Sequence, residues 1–307
     1  MMDQAFDCVV IGGGPAGLTA ALYLARFRRS TLVIDAGQSR ASRIPIVRNL
    51  AGFEGGISGK ELIVKMRRQV DCYPVPIIAG RVVAIRQVSA GFVVDYRSSG
   101  DADRQSALAH RVLLAFGIRD RLPPIVGAER LTEKGLLRLC AICDGFEAQG
   151  KRAAMLGSAS RALSHALFFR TFCRQVAVVA PDLSALTQEQ RASAVENAIE
   201  LVPLGALEAS ANADGRLSVV CPDGRLQRFD IVYPVLGSRE ETELLSGLNV
   251  ERDEDGMIVA DKRQRTSVAG IFAAGDAVNS LNQICVAVGE AAIAATAIHC
   301  SLPGNPL

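Results

Sequence analysis

An apolar run from Phe6 to Ile11 flows directly into Gly12-Gly13-Gly14-Pro15-Ala16-Gly17 and then into a helical apolar pattern through Leu18, Ala21, Leu22 and Ala25. A second apolar run, Thr31 to Ile34, ends on Asp35. Strand, glycine turn, helix, strand and acid in that order define a βαβ unit. Glycines at Gly12, Gly14 and Gly17 let the chain turn tightly and let a pyrophosphate reach the helix N-terminus, and an acid about twenty residues on suits a ribose hydroxyl. A glycine triplet alone is weak evidence; in this context it commits the N-terminal segment to a dinucleotide-binding fold.

The pattern recurs. Arg152 to Leu156 reads as a strand, Gly157-Ser158-Ala159-Ser160-Arg161-Ala162 as the turn, Leu163 to Phe172 as the helix and Gln175 to Val179 as the next strand. The second glycine of this copy is Ala159, whose Cβ is expected to crowd a pyrophosphate. Two stretches read as hairpins: Val82 to Arg86 with Phe92 to Tyr96, and Leu217 to Cys221 with Leu226 to Val232. Val112 to Ala115, followed by Gly117, closes the first copy. Gly270 to Asp276 and an Ala-rich helix from about Gln283 to His299 return to it. The expected class is α/β, with two Rossmann-like nucleotide-binding domains and the central one inserted into the first: residues 1–118, 119–240 and 241–307.

Between the two copies stands Leu139-Cys140-Ala141-Ile142-Cys143-Asp144-Gly145. Two intervening residues let two thiols close a small, reducible disulfide, and a helix N-terminus at such a turn depresses the pKa of the thiol it faces. A structural zinc needs four ligands. Cys8, Cys72, Cys173, Cys221, Cys285 and Cys300 are isolated and no His pair stands at ligand spacing, so the pattern favours a redox pair and no metal.

With 34 basic and 32 acidic side chains the charge of +2 gives no ground for nucleic acid as a bulk partner. Asp3 and Asp7 precede the first apolar run without a basic region, and the apolar stretches are too short to span a bilayer, so neither a secretory signal nor a membrane partner is expected. Eight unevenly spaced cysteines fit a reducing compartment, which points to the cytoplasm.

The order of these motifs resembles that of the low-molecular-weight thioredoxin reductases over nearly the whole chain. Cys140-Ala-Ile-Cys143-Asp144-Gly145 is similar to their C-x-x-C-D-G redox motif, Gly12 to Gly17 to their FAD fingerprint, and Gly270 to Asp276 to their second flavin motif. Asn49-Leu50-Ala51-Gly52 is similar to the loop that lies against the isoalloxazine. Gln283 stands where the family has an Arg-Gln-Ala flavin contact, with Asn282 replacing Arg. The resemblance implies FAD held by Gly12, Gly14, Pro15, Ala16, Gly17, Asp35, Asn49, Val82, Gly117, Gly275, Asp276, Gln283 and Ile284. It further implies that Cys143 is the flavin-side thiol, Cys140 the interchange thiol that attacks a partner disulfide, and Asp144 the proton donor and acceptor; Asp144 also suits an N-cap.

One part of the family pattern is missing. Nicotinamide-using members carry a His-Arg-Arg cluster where this chain has Ala180-Pro181-Asp182-Leu183, with no basic residue until Arg191. Charge-assisted hydrogen bonds contribute roughly 1.5 to 3 kcal/mol each, so losing two weakens NADPH by about 3 to 6 kcal/mol. The resemblance therefore extends to branches that dispense with nicotinamide: ferredoxin-dependent reductases, diflavin-linked oxidoreductases with a second FAD, and oxygen-dependent small-molecule dithiol oxidases. A ferredoxin near −400 mV and a thioredoxin near −270 mV differ by about 130 mV, roughly 6 kcal/mol over two electrons toward dithiol. Arg26, Arg28 and Arg29, or Arg67 and Arg68, offer basic docking clusters for a ferredoxin, and Phe168, Phe169 and Phe172 offer rings for a second flavin, or core. An NAD(P)H-dependent thioredoxin reductase with an atypical nucleotide site is the alternative. The disulfide partner is a thioredoxin-like protein or a small disulfide. A homodimer is expected, because family members pair and the apolar C-terminal helix would otherwise be exposed.

Overall fold

The computed structural model describes residues 5–100, 103–125, 127–208, 215–239, 243–278 and 281–306. Asp3 and the expected boundary at residues 240 and 241 lie outside them. The chain forms two compact units, one of residues 1–43, 57–119 and 240–307, the other of residues 44–56 and 120–239.

The first unit opens with β1 (Phe6–Ile11), α1 (Pro15–Arg26) and β2 (Thr31–Asp35), followed by α2 (Gly59–Val70), β3 (Ile77–Val88), β4 (Gly91–Ser98) and β5 (Arg104–Leu114). β6 (Arg119–Asp120) marks the passage to the second unit. There the chain forms α3 (Ala128–Glu133), α4 (Ala141–Asp144), β7 (Arg152–Gly157), α5 (Ala159–Phe169), β8 (Gln175–Ala180), α6 (Gln188–Glu196), β9 (Ile199–Pro203), β10 (Ala206–Glu208), β11 (Leu217–Val220), β12 (Leu226–Phe229) and β13 (Ile231–Val235). β14 (Ser238–Arg239) marks the return, and β15 (Ile271–Ala273) and α7 (Ile284–Cys300) complete the first unit.

Two long strands organise the first unit. β3 pairs parallel with β2 through Ile77, Ile78 and Ala79, then runs on antiparallel to β4. β5 pairs antiparallel with β4 over Arg104 to Ala109, and its second half lies parallel to β1 and β15. The closing strand expected at Val112 to Ala115 is thus the end of a longer one, whose first half carries Arg104, Gln105 and Ser106 and so lacks the apolar run of a buried strand. Val10, Val33 and Leu113 face a core shared with α1 and α7, and Val9, Ile34 and Leu114 face the hairpin layer. Alternating side chains of fully buried parallel strands feed both.

α7 packs its alanines, including Ala287, Ala291, Ala294 and Ala295, into the core that contains Ala16, Leu18, Ala20 and Leu24 of α1. Small residues let the two helices approach closely. One face of α7 is thereby covered within the unit, while Cys285 and Ile293 of the same helix stay exposed. The α7 C-terminus is held by Arg29, only 6% exposed, whose Nε donates to His299 Nδ1 at 3.0 Å and whose Nη2 donates to the carbonyls of His299 and Pro303 at 3.3 and 2.8 Å. A cation at a helix C-terminus also complements the helix dipole. Arg26 donates to Tyr73 Oη at 2.8 Å, and Arg67 lies 3.6 Å from Asp35. Of the arginines expected to dock a ferredoxin, Arg29 is an internal fixture, while Arg26, Arg28 and Arg68 are exposed.

In the second unit β13, β7, β8 and β9 form a four-stranded parallel sheet, and β10, β11 and β12 a separate antiparallel one. The expected hairpin strand Leu226 to Val232 is two strands. At Asp230 the chain leaves the antiparallel sheet; the carboxylate accepts from Arg152 N at 2.7 Å and Arg216 Nε at 2.8 Å, and Ile231 then pairs with Ala153. The second helix begins at Ala159, within the expected turn, and ends at Phe169, so Phe172 lies beyond it. Phe169 is fully buried. It is core and not a stacking platform.

Candidate functional site

In the first unit, Gly12 has φ +112°, and a Cβ there would lie 2.3 Å from Ala115 O. A Cβ on Gly17 would lie 1.8 Å from Gly12 O, so the glycine lets α1 close on the end of β1. Gly14 caps α1 with no side-chain hydrogen bond, Pro15 takes the first helical position, and the nearest atom to a Cβ on Gly14 would be Ser39 Oγ at 3.2 Å. The N–H groups of the first turn are thus left to a ligand. Asp35 Oδ1 accepts from Gly13 N at 3.3 Å and Gly37 N at 2.9 Å.

The return segment meets this cradle. A Cβ on Gly275 would stand 3.0 Å from Ala16 Cβ, and Gly275 N donates to Glu290 Oε2 at 2.8 Å. Asp276 Oδ2 lies 3.5 Å from Arg40 Nη1, which also donates to Asn282 O at 3.5 Å. Gln283 caps α7, Ile284 is its first residue, and the Asn282 side-chain oxygen is buried with no protein partner. The fold thus brings together Gly12, Gly14, Pro15, Ala16, Gly17 and Asp35, and joins Ala16 to Gly275 and Asp276. Val82 is buried beside a bulge in β3, so a ligand would meet only its backbone, and Gly117 (φ +68°) turns the chain after β5. Asn49 is exposed and belongs to the second unit, in the segment 44–56. An open helix N-terminus, glycines with no room for a side chain, a ribose acid and an orphaned buried oxygen fit FAD. No sequence motif marks Arg40 or Glu290, and Arg67, expected in a docking cluster, stands 3.6 Å from Asp35 instead.

In the second unit Cys140 and Cys143 form a disulfide, with Cα atoms 5.3 Å apart. Cys140 caps α4, its sulfur accepting from Cys143 N at 3.2 Å. Asp144 is at the end of this turn and not at its cap. A Cβ on Gly145 would lie 2.5 Å from Ala141 O and 2.6 Å from Phe172 Cδ2, which explains the glycine after the acid. Asp144 Oδ1 accepts from Tyr233 Oη at 2.7 Å, Arg138 Nε is 3.6 Å from Oδ2, and Arg138 Nη1 donates to the Asp144 carbonyl at 3.0 Å. Burial pushes the Asp144 carboxyl up from the ordinary carboxylate range, against the pull of Tyr233 and Arg138. A carboxyl so placed can carry a proton beside the sulfurs. Glu147 pairs with Arg48 at 3.4 Å, and Ile142 and Phe146 flank the disulfide as exposed apolar groups, Phe146 at 77%.

The second nucleotide motif is altered differently from expectation. Ala159 is 3% exposed and belongs to the buried cluster with Met155, Ala162 and Val178. Its methyl is part of the core, so the crowding of a pyrophosphate is not borne out. After β8, Asp182 accepts from Ser184 N at 2.8 Å and Ser184 Oγ at 2.6 Å, an acidic turn closed on itself. Arg191 is turned back onto the Leu183 carbonyl.

Two nucleotide folds, one with an intact cradle and one carrying a C-x-x-C disulfide next to a partly buried acid, define a flavin-dependent disulfide oxidoreductase. The pattern of the pyridine nucleotide-disulphide oxidoreductase family matches residues 6–291. The thioredoxin reductase of Mycolicibacterium smegmatis is 30% identical over 92% of this chain and 92% of its own. The crystal structure of thioredoxin reductase from Streptococcus pyogenes is 29% identical over 96% of this chain and 97% of its own, with a TM-score of 0.86. The crystal structure of HlmI is 28% identical over 97% and 92%, also with a TM-score of 0.86. The chain belongs to the pyridine nucleotide-disulphide oxidoreductase family, and FAD is its cofactor. Among the described residues no helix is long and apolar enough to cross a membrane.

Proposed function

We propose that this chain is a cytoplasmic FAD-dependent thiol–disulfide oxidoreductase that exchanges electrons with a partner disulfide through Cys140 and Cys143 without using NADPH. The observation that carries it is the pairing of an acid-flanked disulfide with an acidic β8 loop: Asp144 follows Cys143 in the turn that Cys140 caps, and Asp182, closed on Ser184, stands in the segment where nicotinamide-using members carry cations. FAD, when bound, supplies two-electron capacity. Gly12, Gly14 and Gly17 admit its pyrophosphate, Asp35 takes a ribose hydroxyl, and Val82, Gly117, Asp276, Gln283 and Ile284 complete its contacts within the first unit.

In the reducing direction the Cys140 thiolate attacks one sulfur of the partner, the partner S–S bond breaks, and its departing sulfur takes a proton from Asp144. The Cys143 thiol then passes its proton to Asp144 and attacks Cys140. Closure of the Cys140–Cys143 bond releases the second partner sulfur, which takes that proton, and two electrons have passed to the partner. Ile142 and Phe146 give the partner an apolar surface beside the sulfurs.

The names of the relatives favour a second reading, an ordinary nicotinamide-dependent thioredoxin reductase. The two separate by donor: dithionite-reduced protein should reduce an oxidised thioredoxin in both, and only the second should be reduced by NADPH. The flavin count per chain sorts the donors within our reading. A ratio near two supports a second FAD, and a ratio near one with rapid turnover by ferredoxin supports that donor. The homodimer belongs to the same reading, and a monomer mass by light scattering would remove it.

A further inference from the structure

We propose that Tyr233 is the positioning residue of the proton donor: its hydroxyl holds Asp144 in place and sets the pH at which Asp144 carries a proton. This rests on the reading that Cys140 and Cys143 exchange with a partner disulfide and that Asp144 supplies the proton.

The strand β13 reads Ile-Val-Tyr-Pro-Val, and its other apolar members, Ile231, Val232 and Val235, are purely aliphatic and buried. Tyr233 pairs with Met155 of β7 and packs its ring against Phe169 at 4.8 Å, and the residue is 3% exposed. A phenylalanine would fill the same space. A buried tyrosine hydroxyl must find a partner, and this one reaches past the sheet edge to Asp144 Oδ1 at 2.7 Å. The bond joins a rigid strand to a four-residue helix that carries the disulfide. Arg138 holds the same residue from another side, with Nε also bonded to the Gly135 carbonyl at 3.1 Å.

The charged and titratable groups acting on the Asp144 carboxyl are thus Tyr233 from β13, Arg138 from the segment before the disulfide, and Glu147 and Lys151 from the segment after it. Tyr233 donates to Oδ1; Oδ2 stands 3.6 Å from Arg138 Nε, whose hydrogen goes to the Gly135 carbonyl, so Oδ2 is the oxygen that can carry the exchangeable proton. When Oδ2 gives that proton to the departing sulfur, the carboxylate formed accepts a stronger hydrogen bond from Tyr233 than the neutral acid did. The hydroxyl therefore favours the state after donation and lowers the proton affinity that burial raises.

The test uses FAD-loaded protein reduced anaerobically with dithionite and freed of excess, mixed in a stopped-flow instrument with one of two disulfides from about pH 5 to about pH 9. 2-Hydroxyethyl disulfide releases a basic thiolate that needs a proton, whereas an aromatic nitrobenzoate disulfide releases a weakly basic one that does not. In Tyr233→Phe the alkaline limb for the aliphatic disulfide should move up by about one pH unit, and the rate on the acid side of that limb should fall severalfold because the acid is weaker and unheld. The aromatic disulfide should react as in the native protein. Asp144→Asn should abolish the limb, and adding Tyr233→Phe to it should change nothing more. An unmoved limb in Tyr233→Phe, with the limb lost in Asp144→Asn, overturns the role of Tyr233 alone. Native reduced protein that exchanges with neither disulfide overturns it together with the functional reading.

Discussion

Gly13 and Asp35 contend for one space: a Cβ on Gly13 would lie 2.3 Å from the Asp35 carboxyl carbon, while the Gly13 N–H donates to that carboxylate at 3.3 Å. Gly13 fills a variable position of the glycine fingerprint, so its constraint comes from Asp35 and not from the ligand. Gly14 has room for a methyl apart from one contact with Ser39 Oγ at 3.2 Å. Gly13→Ala should therefore destabilise even the flavin-free protein, by about 1–3 kcal/mol as overpacking does. Gly14→Ala should leave flavin-free stability nearly unchanged and weaken FAD retention. Thermal melts of the apo proteins, with flavin content after desalting, separate the two.

Asp95 is 1% exposed and accepts from Ser106 Oγ at 2.5 Å, Arg104 Nη2 at 2.5 Å and Arg86 Nε at 3.2 Å. Burial alone would raise its carboxyl, but these donors outweigh it and hold it below the ordinary carboxylate range. A depressed folded-state pKa contributes stability that is full above the unfolded value of about 3.9 and is lost as pH falls through the folded value. Asp95→Asn should cost about 1–3 kcal/mol at neutral pH, with the deficit shrinking in acid. Denaturant midpoints at neutral pH and below about pH 4 check the sign.

Arg29 ties the end of α7 to the start of β2, with hydrogen bonds to His299 and Pro303 and an ion pair with Asp7 at 3.7 Å. Arg29→Ala leaves these acceptors without their donor and should cost about 3–5 kcal/mol. Because Arg29 is buried, a matching loss of ferredoxin coupling without a loss of stability would contradict its structural role. Unfolding curves of the purified variant decide this.

Asp182 can be turned from obstacle to donor. It is exposed, and its turn bonds to Ser184 are local. Asp182→Arg removes one repulsive charge and adds one charge-assisted donor, which should strengthen binding of a 2′-phosphorylated adenosine ligand about tenfold or more. Calorimetry with 2′,5′-ADP against 5′-ADP would reveal the gain as specific to the 2′-phosphate.

Much of this was written in local patterns. The unit from Phe6 to Asp35 was legible because strand, glycine turn and acid are contiguous, and the disulfide because its two cysteines are three residues apart. The errors arose where pattern and pairing part. The fingerprint after Gly157 marks ligand-facing residues without saying where the helix starts; the helix starts at Ala159, inside the expected turn. β12 and β13 look like one strand in the sequence because a single residue, Asp230, separates strands of different sheets. Arg138 and Tyr233 reach Asp144 from other segments, Tyr233 from 89 residues away, and no spacing announces that. The available signal was a tyrosine in an otherwise aliphatic buried strand, whose hydroxyl has to be satisfied somewhere.

The most direct test of nicotinamide independence is anaerobic titration of the FAD-loaded protein while the oxidised flavin band is recorded. Dithionite, which needs no docking site, should bleach the band. Excess NADPH or NADH should leave it nearly unchanged, because β8 ends on Ala180 where β2 ends on the ribose acid Asp35, and the loop after β8 offers a 2′-phosphate an acid in place of cations. Stoichiometric bleaching by either nicotinamide within seconds would contradict the account and return this chain to the nicotinamide-dependent thioredoxin reductases.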